Sequence, residues 1–234
     1  MITIYTIAYN ESLFLQFMID HYRSRFPGCH IVVYDNYSTD NTVEIAKANN
    51  CYIRYFNTNN QINDLKYLEV KNHVWKQALT DWVLVCDVDE LVDISEQTLK
   101  EEERLGSTVI KFAGYNMVNM SDNLDISSIK YGVRSLDYDK RYLFNKKFVE
   151  EINYKPGCHQ AEPTGHIVVS DKNYLAYHYK YFNLDYLVAR HKLFSSRLSS
   201  INKENYWGNS YQYNEIEITA LFQLMRDRAK QIIP

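Results

Sequence analysis

Short apolar runs alternate with helical patterns through the first 95 residues of this 234-residue chain. The runs are rich in β-branched residues and bounded by polar breaks, which is typical of buried strands. They cover residues 2–8, 30–34, 51–56 and 82–86. The helical patterns between them cover residues 10–26, 39–48 and 63–79. This order predicts an α/β fold with a mostly parallel, doubly wound central sheet, helices on both faces and right-handed crossovers.

The regularity drops after about residue 94. Further elements are predicted as a charged helix at Glu96–Arg104, a strand at Thr108–Phe112, and helices at residues 184–200 and 213–232. Irregular, antiparallel-looking segments fill the stretch up to about Tyr179. Because neither a repeat nor a linker interrupts the chain, we expect a single domain over residues 1–234, with a smaller antiparallel and helical C-terminal part.

Composition and charge exclude several classes of protein. Apolar residues make up 46% and charged residues 24%, which is ordinary for a globular protein with a real core. A net charge of −3 leaves no global basic field, so nucleic acid is not the expected partner. Four scattered cysteines without C-x-x-C predict neither a zinc site nor a disulfide framework. The first eight residues predict a strand rather than a signal peptide, and no run of 18 apolar residues occurs, so we expect a cytoplasmic protein without a transmembrane segment.

An acidic turn, Asp87-Val88-Asp89-Glu90, directly follows the fourth apolar run. Side chains alternate along a strand, so Asp87 and Asp89 are expected to point to the same side. Two adjacent carboxylates repel each other, and Mg²⁺ or Mn²⁺ relieves that cost because these ions prefer oxygen ligands. An ordinary polar turn that caps the strand is the alternative interpretation of these residues alone.

Four polar segments follow successive strands, and the carboxyl ends of parallel strands meet at one edge of the sheet. The segments are Thr6-Ile7-Ala8-Tyr9-Asn10-Glu11, residues 34–40, Lys71-Asn72 on a helix, and Asp87-Val88-Asp89-Glu90. In this order they resemble the motifs of GT-A fold glycosyltransferases, chiefly family 2 and the related family-92-like group. The D-x-D-E form and His21 look closer to the family-92-like group.

The resemblance implies a metal-dependent glycosyltransferase that moves a sugar from a nucleotide-diphosphate sugar, first of all a UDP-sugar, to an acceptor hydroxyl. Residues 1–95 would be the nucleotide-sugar-binding half, and residues 96–234 the acceptor-binding half with the C-terminal helices. The nucleotide-binding residues that it implies are Thr6, Ala8, Tyr9, Asn10, Glu11, Asp35, Lys71, Asp87 and Val88. Asp35 would hold the base or ribose, and Lys71 would approach the base or diphosphate.

The same resemblance implies that Asp87, Asp89 and one late histidine bind Mn²⁺ or Mg²⁺. His159 is the first candidate for that histidine and His178 the second. An inverting enzyme also needs a carboxylate base near the acceptor hydroxyl. The candidates for the catalytic base are Glu90, Asp122 and Glu162. A retaining mechanism would not need such a base in the same position, so the stereochemical course stays open.

Two other functions remain as alternatives. A sugar-nucleotide nucleotidyltransferase would share the sheet and the metal. Such enzymes usually carry a glycine-rich loop after the first strand, whereas this chain has Tyr9-Asn10-Glu11 there, which argues against this alternative. A catalytically silent carbohydrate-binding relative is the other alternative.

The expected partners are a nucleotide sugar and a carbohydrate or glycoconjugate acceptor. The last helix carries an apolar stripe with basic residues, so peripheral membrane contact is possible, although docking on the protein's own core is favoured.

Overall fold

A computed structural model describes residues 1–121 and 123–234. The first half alternates strands and helices as predicted. Its elements are β1 (Ile2–Ala8), α1 (Ser12–Arg25), β2 (His30–Asp35), α2 (Thr42–Ala48), β3 (Tyr52–Tyr55), α3 (Asp64–His73) and β4 (Trp82–Asp87). A 3-10 turn, Val74–Gln77, replaces the predicted end of the third helix.

The second half contains more strands than the sequence indicated. Its elements are β5 (Glu90–Asp93), α4 (Glu96–Arg104), β6 (Val109–Val118), β7 (Tyr131–Arg134), β8 (Leu143–Asn145), β9 (Val149–Glu151), β10 (Thr164–Gly165), β11 (Val169–Tyr181), α5 (Leu184–Arg197), α6 (Ser200–Glu204), α7 (Glu215–Arg228) and β12 (Lys230–Gln231). The last predicted helix was too long, because the chain leaves α7 at Arg228 and pairs with β7 through β12.

One ten-stranded sheet organises the molecule, in the order β12-β7-β6-β8-β4-β1-β2-β3, with β11 attached at β6 and β5 attached at β11. The strands β4, β1, β2 and β3 are parallel neighbours, whereas β8 joins β4 in the antiparallel sense. The predicted mostly parallel α/β sheet is therefore confirmed for the first half, and antiparallel pairs extend it. No helix in the described residues is both long and apolar enough to cross a membrane.

Both faces of the sheet are buried, which explains the unbroken apolar runs of the first half. Ile4 faces a core that includes Phe14 and Met18 of α1. Tyr5, the next residue on β1, faces a second core that includes Trp75. The parallel register aligns Ala8 with Asp35 and Ile7 with Asp87, so the polar strand ends meet at one edge of the sheet.

Helix α1 begins at Ser12, two residues after the start of the predicted helical pattern. Asn10 does not cap the helix; Glu11 takes the position before it, without a side-chain cap bond. Asn10 instead adopts a left-handed backbone with φ of 56°, which asparagine tolerates better than most residues. Its side-chain oxygen accepts a hydrogen bond from the Thr39 backbone N–H at 2.7 Å. Asn10 therefore ties the end of β1 to the turn after β2.

Glycine at position 114 permits a close approach between β6 and a 3-10 turn, Leu136–Tyr138. A Cβ atom at this position would lie 2.3 Å from Tyr138 Cβ and 2.5 Å from the Tyr138 carbonyl oxygen. Any other residue here would push the turn away from the sheet.

Gly114→Ala is expected to lower the free energy of unfolding by about 1–3 kcal/mol, because backbone atoms have to move to admit the methyl group. Urea unfolding measures this cost. Gly132→Ala on the neighbouring strand is the control, since its added Cβ would meet its nearest atoms only at 3.1 Å. Equal costs for the two variants would contradict the proposed close approach.

Candidate active site

A cavity of about 500 Å³ opens at the carboxyl edge of β1 and β4. Ile7, Tyr9 and the turn from Asp87 to Glu90 form one wall, and residues of β11 and α5 form the other. A volume of this size is typical of small-molecule sites. The cavity therefore lies where the polar strand ends were expected to meet.

Asp87 lies at the end of β4 and is held by the ammonium group of Lys71. Lys71 Nζ donates to Asp87 Oδ1 at 2.6 Å, and the lysine side chain is only 9% exposed. Burial alone would raise the pKa of Asp87, but Lys71 and Lys140 together hold it below its ordinary value. Burial alone would lower the pKa of Lys71, and Asp87 raises it well above its ordinary value. Both groups are therefore charged at neutral pH.

Asp89 faces a histidine and an arginine from the second half of the chain. Its Oδ2 atom lies 3.6 Å from His178 Nε2 and 3.7 Å from an Arg190 terminal nitrogen. Burial alone would raise the pKa of Asp89, but these two neighbours hold it well below its ordinary value. The His178 ring also stacks on Tyr138 with a centroid distance of 4.1 Å.

The other ring nitrogen of His178 is fixed as well. His178 Nδ1 lies 2.8 Å from Asn116 Oδ1, a geometry in which the ring N–H donates to the amide oxygen. Nε2 is then the ring nitrogen that faces Asp89. Histidine ligands of metals are commonly oriented by such a hydrogen bond to the second nitrogen.

A bidentate ion pair joins α5 to the start of α1. Arg190 donates to both carboxylate oxygens of Glu11, at 2.7 and 3.1 Å. The guanidinium also donates to the Tyr186 hydroxyl at 2.8 Å and lies over the Phe194 ring. Arg190 thus fixes Glu11 while its remaining charge faces Asp89. Burial raises the pKa of Glu11 to about 7, although Arg190 opposes the shift.

Glu90, a predicted catalytic base, is buried in an ion pair with Lys140. Both side chains are only 4% exposed. The Lys140 ammonium also lies over the Tyr138 ring, 5.0 Å from its centroid. A carboxylate so engaged is poorly placed to accept a proton from an acceptor.

Five of the predicted nucleotide-binding residues line the cavity. They are Tyr9, Glu11, Lys71, Asp87 and Val88. Thr6 and Ala8 are buried and do not line it, whereas Ile7 does. Side chains alternate along β1, so Ile7 and Tyr9 share the face that opens to the cavity. Sequence reasoning grouped Thr6, Ala8 and Tyr9 without applying this alternation.

Asp35 is almost fully buried at the end of β2 and does not line the cavity. Its Oδ2 atom accepts from the Ser38 backbone N–H at 3.0 Å. Its Oδ1 atom has no hydrogen-bond partner among the described residues. A buried carboxylate oxygen without a partner is costly, and a ligand N–H or hydroxyl would relieve that cost.

A segment of the second half covers the side of the cavity nearest Tyr9. The Arg197 guanidinium lies 3.3 Å from the Tyr9 ring centroid, and Arg197 Nε donates to the Asn60 carbonyl oxygen. The backbone is tied in the same place, because Ile62 N–H donates to the Arg197 carbonyl oxygen at 2.7 Å. The end of α5 therefore packs directly on the first half.

The two late histidines occupy different positions in the cavity wall. His178 lies beside Asp89, as described above. His159 Nδ1 bonds to the Asp137 carbonyl oxygen at 2.8 Å, and its ring meets the edge of Tyr138. No contact between His159 and the acidic pair is found among the described residues. The geometry favours His178 over His159 as a partner of Asp89.

Of the other predicted bases, Glu162 lies outside the cavity. Its side chain is 72% exposed and pairs with Lys155 at 3.0 Å. Asp122 lies outside the described residues.

Two charged residues that sequence reasoning missed line the cavity without a direct partner. Asp137, in the 3-10 turn, and Lys180, near the end of β11, make no side-chain hydrogen bond or ion pair with any described residue. Burial lowers the pKa of Lys180. Neither residue belongs to a recognisable motif, so only the folded chain reveals their position.

The donor set fits a divalent cation of the kind that the acidic motif suggests. No group of three or more His, Cys, Asp or Glu side chains converges on a common point in the described part of the chain. Mg²⁺ and similar ions, however, are often held by one or two protein ligands, with phosphate oxygens and water completing the shell. Asp89 and His178 supply such a pair, with Asp87 next to them.

Comparisons with known proteins agree with the sequence motifs. The model of a family described as glycosyl transferase family 2 matches residues 3–154. No curated protein sequence matches the chain.

Several solved structures resemble the chain at low sequence identity. S. aureus TarS has a TM-score of 0.48 and 17% identity, over 81% of this chain and 39% of TarS. The chain thus spans well under half of TarS. The TarS 1–349 fragment in complex with UDP-GlcNAc has a TM-score of 0.43 and 16% identity, over 89% of this chain and 70% of the fragment. The Pyrobaculum calidifontis mannosyltransferase PcManGT with GDP-Man and Mn²⁺ has a TM-score of 0.36 and 15% identity, over 52% and 36% of the two chains.

The buried Glu11 makes stability depend on pH. Its pKa is raised from 4.5 to about 7 in the folded state, so between these values the folded chain keeps a proton that the unfolded chain has lost. The stability that this group contributes is therefore full below pH 4.5 and is lost as the pH rises through about 7. Urea unfolding at pH 5 and pH 8 should show a loss of roughly 2 kcal/mol from this group.

Glu11→Gln is the variant that isolates the effect. Gln cannot titrate, so this variant should remove the decline between the two pH values. The same decline in wild type and Glu11→Gln would show that another group titrates.

Proposed function

The chain belongs to glycosyl transferase family 2, and we propose that this glycosyltransferase moves a sugar from a nucleotide-diphosphate sugar to an acceptor hydroxyl in a metal-dependent reaction. The observation that carries the proposal is the acidic pair at the end of β4. Asp87 and Asp89 line a cavity large enough for a small ligand, and His178 faces Asp89 from the other wall. Family membership disfavours a nucleotidyltransferase or a silent carbohydrate-binding protein.

The donor nucleotide is proposed to occupy the side of the cavity next to β1. Tyr9 supplies an aromatic face there, and the neighbouring Arg197 supplies a cation. Asp35 remains the proposed partner for an N–H or hydroxyl group of the nucleotide, because its Oδ1 atom lacks a partner among the described residues. Binding to Asp35 would require a local rearrangement, because this carboxylate is buried and does not line the cavity. A uridine nucleotide is the first candidate.

The metal is proposed to be held by Asp89 and His178, with Asp87 beside them. When bound, a Mn²⁺ or Mg²⁺ ion supplies positive charge that stabilises the departing diphosphate. Lys71 and Arg190 add fixed positive charge to the same part of the cavity.

A closer relation to family-92-like enzymes rests on Glu90 and His21 and stays a prediction. His21 has a structural contact, since its Nε2 lies 2.9 Å from the Val92 carbonyl oxygen.

Asp137 is the proposed general base, in place of Glu90 and Glu162. Among the other carboxylates lining the cavity, Glu11, Asp87 and Glu90 are each ion-paired within 3 Å, and Asp89 faces His178 and Arg190. Asp64 lies in the first half, at the start of α3, beside the Asn202 side chain. Asp137 has no such partner in the described residues and lies in the second half, away from Tyr9. In an inverting transfer the acceptor oxygen bonds to the anomeric carbon as the bond from that carbon to the diphosphate breaks. Asp137 would take the hydroxyl proton.

Asp89→Asn is expected to reduce Mn²⁺-dependent hydrolysis of the donor roughly 100-fold or more, because a metal ligand and a negative charge are lost together. Initial rates across a Mn²⁺ titration, with a panel of uridine, guanosine and thymidine diphosphate sugars, measure the effect. His178→Gln should raise the Mn²⁺ concentration for half-maximal rate about ten-fold. His159→Gln should leave it unchanged.

Asp93→Asn is the matched control, because Asp93 pairs with Arg25 at 2.7 Å on β5 and does not line the cavity. Its rates should equal those of the wild type, and thermal melts should show that all variants fold. Full activity in Asp89→Asn, or the absence of activity with every donor and metal in the wild type, would refute the proposed function.

Asp137→Asn is expected to lower the rate of transfer roughly 100-fold or more, because a general base contributes on that order. Donor affinity, measured by calorimetry with UDP and Mn²⁺, should be unchanged. Glu162→Gln, which removes an exposed carboxylate outside the cavity, serves as the control. If Asp137→Asn transfers sugar at the wild-type rate, Asp137 is not the base.

A further inference from the structure

We infer that the acceptor carries an anionic group, a phosphate or a carboxylate, which Lys180 binds beside the reacting hydroxyl. The inference rests on the proposed function, because it assigns one end of the cavity to the acceptor. The observation behind it is an ammonium group that the protein leaves without a counter-ion inside a cavity where the other lysines are paired.

The pairing of the other cavity cations makes Lys180 stand apart. Lys71 is bonded to Asp87, Lys140 to Glu90, and Arg190 to Glu11. The last cavity arginine, Arg197, lies over Tyr9 and donates to a backbone carbonyl oxygen. The three ion-paired groups have their charge engaged by the protein. Arg197 has no carboxylate partner among the described residues and one terminal nitrogen without a hydrogen bond, but it lies beside Tyr9, on the side proposed for the nucleotide.

Lys180 is half-buried and has no comparable partner in the described residues. The charged groups that face it are Asp89, Arg190 and Asp137. Neither Asp89 nor Asp137 comes within ion-pair distance of the Lys180 ammonium. Its ammonium lies over the ring of the adjacent Tyr181, 5.8 Å from the centroid. Keeping a partly desolvated ammonium without a counter-ion is costly, and an anionic ligand would remove that cost.

The sheet places Lys180 away from Tyr9 and the side of the cavity proposed for the nucleotide base. Tyr9 follows β1, which lies on one side of β4, whereas β11 attaches to the sheet on the other side, at β6 and β5. On β11, Lys180 lies two residues beyond His178, so both side chains emerge on the same face and both line the cavity. Asp137, the proposed base, lines the same end. A ligand anion at Lys180 would therefore belong to the molecule whose hydroxyl Asp137 activates.

The experiment titrates three matched sugars into protein saturated with UDP and Mn²⁺. Glucose is neutral, glucose 6-phosphate carries a phosphate and glucuronic acid carries a carboxylate. We expect at least one of the two anionic sugars to bind wild type about ten-fold more tightly than glucose, as a charge-assisted contact would give. The stronger of the two identifies the anionic group.

Lys180→Met should abolish this preference, and Lys180→Arg should retain most of it. The control is Lys172→Met, which removes an exposed lysine from the same strand, outside the cavity. UDP affinity should be the same in all four proteins. The inference is wrong if wild type binds neither anionic sugar more tightly than glucose, or if Lys180→Met weakens UDP instead. Failure of wild type to bind any nucleotide with Mn²⁺ would instead refute the proposed function.

Discussion

The contact between Arg190 and Glu11 is the interaction on which the arrangement of the site depends. It joins α5, late in the chain, to the residue that follows the first strand, with two hydrogen bonds on buried groups. Removing one partner of such a pair is far more costly than the pair is stabilising, because the other partner is left uncompensated. The same guanidinium acts with His178 to hold the pKa of Asp89 below its ordinary value. Assembly of the second half on the first and the ionisation of Asp89 are thus coupled through Arg190.

The first half could be predicted from sequence because its signals are local. The strands β1, β2 and β4 follow from short apolar runs, and Asp87 and Asp89 follow from their place after the fourth run. Errors arose where a side chain's direction mattered. Alternation along β1 turns Ile7 rather than Thr6 or Ala8 towards the cavity.

The second half resisted prediction because distant contacts position its polar residues. His178 gains its orientation from Asn116 on another strand, and nothing in the local sequence distinguishes it from His159. Asp137 reaches the cavity because a glycine on β6 admits the turn that carries it. The contact between His178 and Asn116 depends on how β6 and β11 pair, because these two residues lie 62 positions apart in the chain. The division into a donor-binding half and an acceptor-binding half stays a prediction.

The stack of Arg197 on Tyr9 has a consequence for the order of events. A nucleotide base that uses the Tyr9 face has to displace this guanidinium or share it, and the guanidinium belongs to the segment bound to Ile62. Donor occupancy and the docking of the α5 terminus are then linked equilibria, each altering the other by the same factor. Arg190 lies seven residues earlier on the same helix, so a movement of this segment would reach the guanidinium that faces Asp89. Binding of the nucleotide would thereby change where the Arg190 charge lies in the cavity before the acceptor enters. This favours an ordered reaction in which the donor binds first.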